Sequence, residues 1–166
     1  SPEDSIQKVL EGSADISFAA LPEKEHPQLE FISLITTELI FVGLKNDAKI
    51  PMINGSLDLD NAPLVIPSSG LSRTDLDQIL KKKNIKPKIE AEVSGNEGIL
   101  AMVRLGCGVG VVPELVLERS PFRQDLYKIP TSVALKAYTV GLCTTRKNLK
   151  RANIAALWRL AKPNKI

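Results

Sequence analysis

Apolar positions first group at Ile6, Val9 and Leu10, a three-and-four spacing that sets them on one side of a helix. Ser1 as N-cap, Pro2 at the first helical position and Glu3 and Asp4 at the positive end of the dipole fit its start, and Gly12 its end. Asp15 to Ala20 alternates polar and apolar before becoming small and apolar, which predicts a strand running into a loop. A polar loop follows from Pro22 to Pro27. Leu29 to Leu44 is rich in Ile, Phe, Val and Thr and reads as two strand stretches, one of which crosses between lobes. Ala48 to Asn61 lacks periodicity and reads as a connecting loop, and Pro63 to Pro67 as a short buried strand.

Beyond the turn at Ser68, Ser69 and Gly70, Ser72 is expected to cap a helix with Leu76, Ile79 and Leu80 inward and Lys81, Lys82 and Lys83 at its negative end. Lys88 to Val93 predicts a strand. Ser94 to Glu97 has the spacing of a capping box, opening a helix that carries Ile99, Leu100, Met102, Val103 and Leu105 and stops at Gly106. Val109 to Val112 reads as a buried strand, Pro113 and Glu114 as the start of a helix through Leu117, and Leu126 to Ile129 and Ala137 to Thr144 as strands. Leu149, Ala152, Ile154, Ala155, Leu157, Trp158 and Ala161 have helical spacing up to Pro163. Alternating strands and helices predict an α/β fold with mainly parallel sheets, in two lobes with a cleft.

Composition narrows the function classes. The 166 residues are 43% hydrophobic and 25% charged, enough for ordinary buried cores and too apolar for a disordered tail. The net charge of +3 leaves no electrostatic footprint for DNA. The longest apolar stretches are broken by Arg104, Gly106 and Pro113 well before the roughly 20 residues of a membrane span, so a soluble protein is expected. Cys107 and Cys143 form neither a disulfide framework nor a zinc site and read as reduced, semi-buried thiols of a cytoplasmic protein.

Catalytic chemistry finds little support. His26, alone in a polar loop, reads as solvent-exposed. Gly106, Cys107, Gly108 and Gly110 follow a helix and precede a strand, the reverse of the order a dinucleotide fingerprint needs, and fit a helix end and a tight strand entry instead. Asp58 and Asp60 fall in a loop and Asp75 and Asp77 in a helix, which makes no acid and base pair, and no metal-ligand spacing occurs. What remains is a pair of helix starts, Ser68 to Arg73 and Ser94 to Glu97, each following a strand, where open α/β sheets bind ligands. Free N–H groups, hydroxyls and Arg73 suit a small carboxylate. Plain capping by Ser72 and Ser94 explains the two serines equally well, and leaves Asn96 and Arg73 unexplained.

The run from Val93 to Pro121, with Gly106 to Pro113 at its centre, resembles the effector-binding domain of LysR-type transcriptional regulators, supported by Gly12 to Ile16, Lys83 to Ile85, Val140 to Cys143, Lys147 to Leu149 and Trp158. The resemblance covers nearly the whole chain. It implies a two-lobed α/β effector domain like the type II periplasmic binding proteins: lobe I from 1–43 and 137–166, its N-terminal part missing, and lobe II from 44–136. It implies a fragment that lacks the winged helix-turn-helix domain, so that DNA is bound only through that missing part, by a cytoplasmic homodimer or homotetramer with no membrane contact, no cofactor and no catalytic residue.

The same resemblance implies an effector site lined by Ser1, Pro2, Ala19 and Ala20, and by Ser69, Gly70, Leu71, Ser72, Asn96 and Glu97, with Arg73 on the effector carboxylate. Within the family it points to activators of branched-chain amino acid biosynthesis. There the effector is 2-acetolactate or 2-aceto-2-hydroxybutyrate and the target the ketol-acid reductoisomerase gene. In that subgroup a histidine is expected in place of Asn96 and a proline in place of Leu71. Other classes on the same fold are a solute-binding protein of a transport system for a small carboxylate, and an enzyme, for which the expected site offers no base or nucleophile.

Overall fold

The computed structural model describes residues 2–22 and 24–162, with backbone alone at 2–4. In chain order the elements are α1 (Pro2–Leu10), β1 (Ile16–Ala20), β2 (Leu29–Leu44), β3 (Met52–Ile53), β4 (Ser56–Leu57), β5 (Pro63–Pro67), α2 (Leu71–Lys82), β6 (Lys88–Val93), α3 (Asn96–Arg104), β7 (Val109–Pro113), α4 (Glu114–Arg119), β8 (Leu126–Lys128), β9 (Ala137–Thr145), a 3-10 turn (Asn148–Lys150) and α5 (Ala152–Ala161). They form two compact units, Ser1–Thr37 with Tyr138–Ile166, and Glu38–Ala137. The expected N-cap Ser1 and helix stop Pro163 lie outside the described residues, as do the side chains of Pro2, Glu3 and Asp4.

In the first unit the predicted face of α1 is buried: Val9 joins Leu29 and Cys143 in a small core, with Ile6, Leu10, Ala14 and Phe31 packed around it. β1 runs antiparallel to β9, Ile16 opposite Thr144 and Ala20 opposite Val140. The first part of β2 flanks β9 so closely that a Cβ on Gly141 would collide with the Ile32 carbonyl. Ile154 and Trp158 of α5 are buried, while Leu157, expected on the same face, is half exposed.

The second unit holds a larger core. Leu64, Val65 and Ile66 of β5 and Val109, Val111 and Val112 of β7 are fully buried, as strands covered on both faces should be. Ile99, Leu100 and Val103 of α3 pack onto Val65 and Val112 with Ile40, Val42, Leu117 and Leu126. Each such side chain contributes about 2 kcal/mol. Leu105, expected on this face, is instead the exposed C-cap of α3. Gly106 ends the helix as predicted: its N–H donates to the Val103 carbonyl (2.9 Å) and that of Cys107 to Met102 (3.1 Å), the two bonds of a Schellman motif.

Three expectations are corrected. The sheet is mixed, not mainly parallel: β5 is parallel to β6 and β7, but β2 is antiparallel to β7 and β8. β5 is followed by α2 and then β6, and β6 by α3 and then β7, and these helices are the crossovers that parallel neighbours need. Leu29 to Leu44 is one continuous strand of 16 residues. The Ala48 to Asn61 segment contains the hairpin β3–β4, turned by Asn54 and Gly55 with φ of 51° and 78°, the positive pair of a type I′ turn. In addition, Pro113 closes β7 instead of opening a helix, and α4 runs from Glu114 to Arg119.

Candidate functional site

In the second unit β5 and β6 run parallel with Pro67 opposite Val93, so both strands end at the same edge of the sheet. The Ser68 N–H donates to the Val93 carbonyl at 3.0 Å. Helices α2 and α3 therefore both start at this edge, α3 packed on the face of Val65, Ala91 and Val93 and α2 on the face of Glu92, and each presents its positive end at the carboxyl end of a parallel strand.

Neither helix is capped as the serine spacing predicts. The N-caps are Gly70 and Gly95, with φ of 89° and 91°, and no side chain bonds either first turn. The first intrahelical bonds confirm the register: Thr74 N–H donates to Gly70 (3.0 Å) and Ile99 N–H to Gly95 (3.3 Å). A bend at positive φ costs glycine little, and it starts each helix directly after the turn. Ser72 is thus the second residue of α2, and Ser94 precedes the cap of α3. The consequence is chemical. The first-turn N–H groups of Leu71, Ser72 and Arg73, and of Asn96, Glu97 and Gly98, have no side-chain acceptor, and the hydroxyls of Ser69, Ser72 and Ser94 have no partner among the described residues.

Of the predicted site residues, Ser69, Gly70, Leu71, Ser72, Asn96 and Glu97 meet at this edge. Ser69 and Glu97 are exposed; the other four are half-buried. Ala19 and Ala20 belong to the first unit, buried at the end of β1 opposite Gly141 and Val140. Pro2 opens α1 in that unit, and Ser1 lies outside the described residues.

Arg73 is already engaged. Its Nε donates to both oxygens of Asp77 (3.0 and 2.9 Å), and its Nη1 to the Pro67 carbonyl (3.2 Å) and to Glu92 Oε1 (3.0 Å). Burial acts to lower its pKa, but hydrogen bonding and charge from Asp77 and then Glu92 outweigh this and raise it above the usual arginine value. The side chain keeps only 23% of its surface in water, because its own helix and the β5–β6 edge enclose it. Asp77 was legible as the fourth residue after Arg73 on one helix face. Glu92 was not, since only the β5–β6 pairing brings it near.

The remaining candidates have structural duties. His26 is half-buried, not solvent-exposed, and its Nδ1 accepts the Gln28 N–H (3.2 Å), which closes the loop before β2. Asp58 accepts from the Asp60 N–H and from Asn61 Nδ2 and shapes its own turn. A Cβ on Gly108 would strike the Pro63 carbonyl, so the glycine cluster serves the close passage into β7. No cluster of side chains among the described residues is arranged for a metal ion, and none of their helices is long and apolar enough to cross a membrane.

A concavity of about 440 Å³ lies within the first unit, lined by Val9, Gly12, Gln28, Thr145, Arg146 and Lys147 among others. None of the predicted site residues lines it, and Arg146 is held by Glu30 at 2.9 Å. The two uncapped helix starts that mark the β5–β6 edge have no counterpart there.

Comparison with known proteins identifies the family. The family model described as the LysR substrate binding domain matches residues 1–164. The chain is 30% identical over 162 residues to the HTH-type transcriptional activator IlvY of Salmonella typhimurium, covering 95% of this chain and 55% of that protein. Against the HTH-type transcriptional regulator IlvY of Escherichia coli K12 the identity is again 30% over 162 residues, with 95% and 54% covered. The chain spans about half the length of these curated relatives. Among solved structures, the cofactor-binding domain of the Cbl transcriptional regulator superposes with a TM-score of 0.76 at 21% identity, over 100% of this chain and 73% of that one, a likeness of fold.

Proposed function

The chain belongs to the LysR substrate-binding domain family, and from that premise we propose that it is the ligand-sensing domain of an IlvY-like activator, with 2-acetolactate or 2-aceto-2-hydroxybutyrate as effector and the ketol-acid reductoisomerase gene as target. One observation carries the site: two helices of the second unit begin at glycine caps and leave their first-turn N–H groups uncapped at one sheet edge. Such an edge favours an anion through N–H donors and aligned helix dipoles. The effector carboxylate sits at the start of α2, on Leu71 and Ser72. Its tertiary hydroxyl and ketone are met by Ser69, Ser72 and Asn96, and Glu97 accepts from the hydroxyl.

The complete regulator is cytoplasmic, binds DNA through a domain outside this chain and acts as a homo-oligomer. Effector shifts it between two arrangements by its differential affinity for them, for which a few kcal/mol suffice. The test is a thermal-shift titration with 2-acetolactate against valine, 2-ketoisovalerate and pyruvate. At a hundred times its dissociation constant a ligand adds about 2.7 kcal/mol, which moves the melting temperature by several degrees. A saturable shift confined to acetolactate supports the effector; no shift discards it and leaves the family standing.

A further inference from the structure

The three groups around the Arg73 guanidinium sit on three different pieces of chain. Asp77 lies one turn further along α2, Pro67 is the last residue of β5, and Glu92 is the penultimate residue of β6. Between β5 and α2 lies the bend Ser68, Ser69 and Gly70. Its backbone is tied at the beginning, by Ser68 to Val93 at 3.0 Å, and at the end, where the Thr74 N–H and hydroxyl both reach the Gly70 carbonyl (3.0 and 3.2 Å). Among the described residues, Arg73 is the side chain that reaches back across the bend, from the first turn of α2 to the Pro67 carbonyl.

From this arrangement we propose that Arg73 is a positioning residue for the effector site. Its guanidinium braces the Ser68–Gly70 bend against both strand ends and keeps the first turn of α2 open, and the helix N–H groups, not the arginine, take the effector carboxylate. The chemistry fits the residue type: a planar fork with five donors serves several acceptors from one rigid group, which a lysine ammonium does not reproduce. Two carboxylates at 2.9 and 3.0 Å already neutralise it. An incoming carboxylate would have to displace Asp77 or Glu92, or accept their repulsion.

The inference rests on the reading of this edge as the effector site, and its test is chosen so that the two fail separately. The readout that needs no ligand is amide hydrogen exchange in the segment 68–74 of the whole chain. Arg73→Ala is expected to speed exchange there about tenfold while the β5 and β7 core stays protected, with smaller increases for Arg73→Lys and Glu92→Gln. Should Arg73→Ala fail to fold, the two milder variants decide the point. Unchanged exchange in all variants that fold overturns the proposal. The second readout is affinity for 2-acetolactate as the probe. A positioning role predicts weaker binding for Glu92→Gln as for Arg73→Lys, because both loosen the brace. Tighter binding by Glu92→Gln, as expected if the released guanidinium touched the carboxylate directly, also overturns it. If wild-type chain binds no acetolactate, the proposed effector falls and the exchange comparison still judges Arg73.

Discussion

The two units solve the burial problem differently, and a single strand displays the contrast. In its second-unit part β2 is buried without interruption from Leu39 to Gly43, whereas in the first unit four consecutive residues, Ser33 to Thr36, are exposed. The second unit holds most of the buried apolar side chains. The first keeps Phe18 (57%), Leu34 and Ile35 exposed on its strands and Leu157 and Leu160 on α5. Stability in such a chain should therefore be unequal, with the second unit the rigid body. That is also the unit that carries the two helix starts proposed as the effector site, and N–H donors would recognise a carboxylate only when held in place.

The sharpest probe of this contrast pairs two phenylalanines. Phe41, on the second-unit part of β2, is 1% exposed, and Phe41→Ala should cost about 3–5 kcal/mol in urea unfolding. Phe18→Ala should stay within about 0.5 kcal/mol. Equal losses would break the comparison. A smaller effect is expected from Gly141→Ala, whose new Cβ meets the Ile32 carbonyl in the first unit. It should cost about 2–3 kcal/mol and raise amide exchange in β1 and β9 while β5 and β7 stay protected. Uniform exchange would show the two units unfolding as one.

The smallest effect depends on pH. Burial pushes the Cys143 thiol up from 9.0 to about 11. The folded chain thus keeps a proton that the unfolded chain releases, so the associated stability is present below pH 9 and is lost as pH rises towards 11. Comparison with Cys143→Ala should isolate a loss of about 2 kcal/mol across that window. The same slope in both proteins would remove Cys143 as its source.

Local signals carried most of the elements. The apolar face of α1, the buried runs of β5 and β7 and the helix stop at Gly106 were legible because each rests on periodicity or on a residue's own backbone preference. The Asn54 and Gly55 pair is an equally strong turn signal, although the two-residue strands on either side of it show no periodicity. The caps show the limit of spacing. Ser94 and Glu97 stand at capping-box distance, yet Gly95 takes the cap, because its positive φ starts the helix one residue later. Of the candidate site, the residues at the two helix starts were legible, while the engagement of Arg73 by Glu92 was not.

By itself, then, the sequence determined an α/β chain with two helix starts that follow strands, and the resemblance of the run from Val93 to Pro121 to a regulator family, because these depend on neighbours within a few residues. Only the tertiary structure decided that both helices begin uncapped at one sheet edge and that Arg73 is bound from behind. Those outcomes depend on the parallel pairing of β5 with β6, which brings together residues some 25 positions apart, such as Pro67 and Val93, and no local pattern records that pairing.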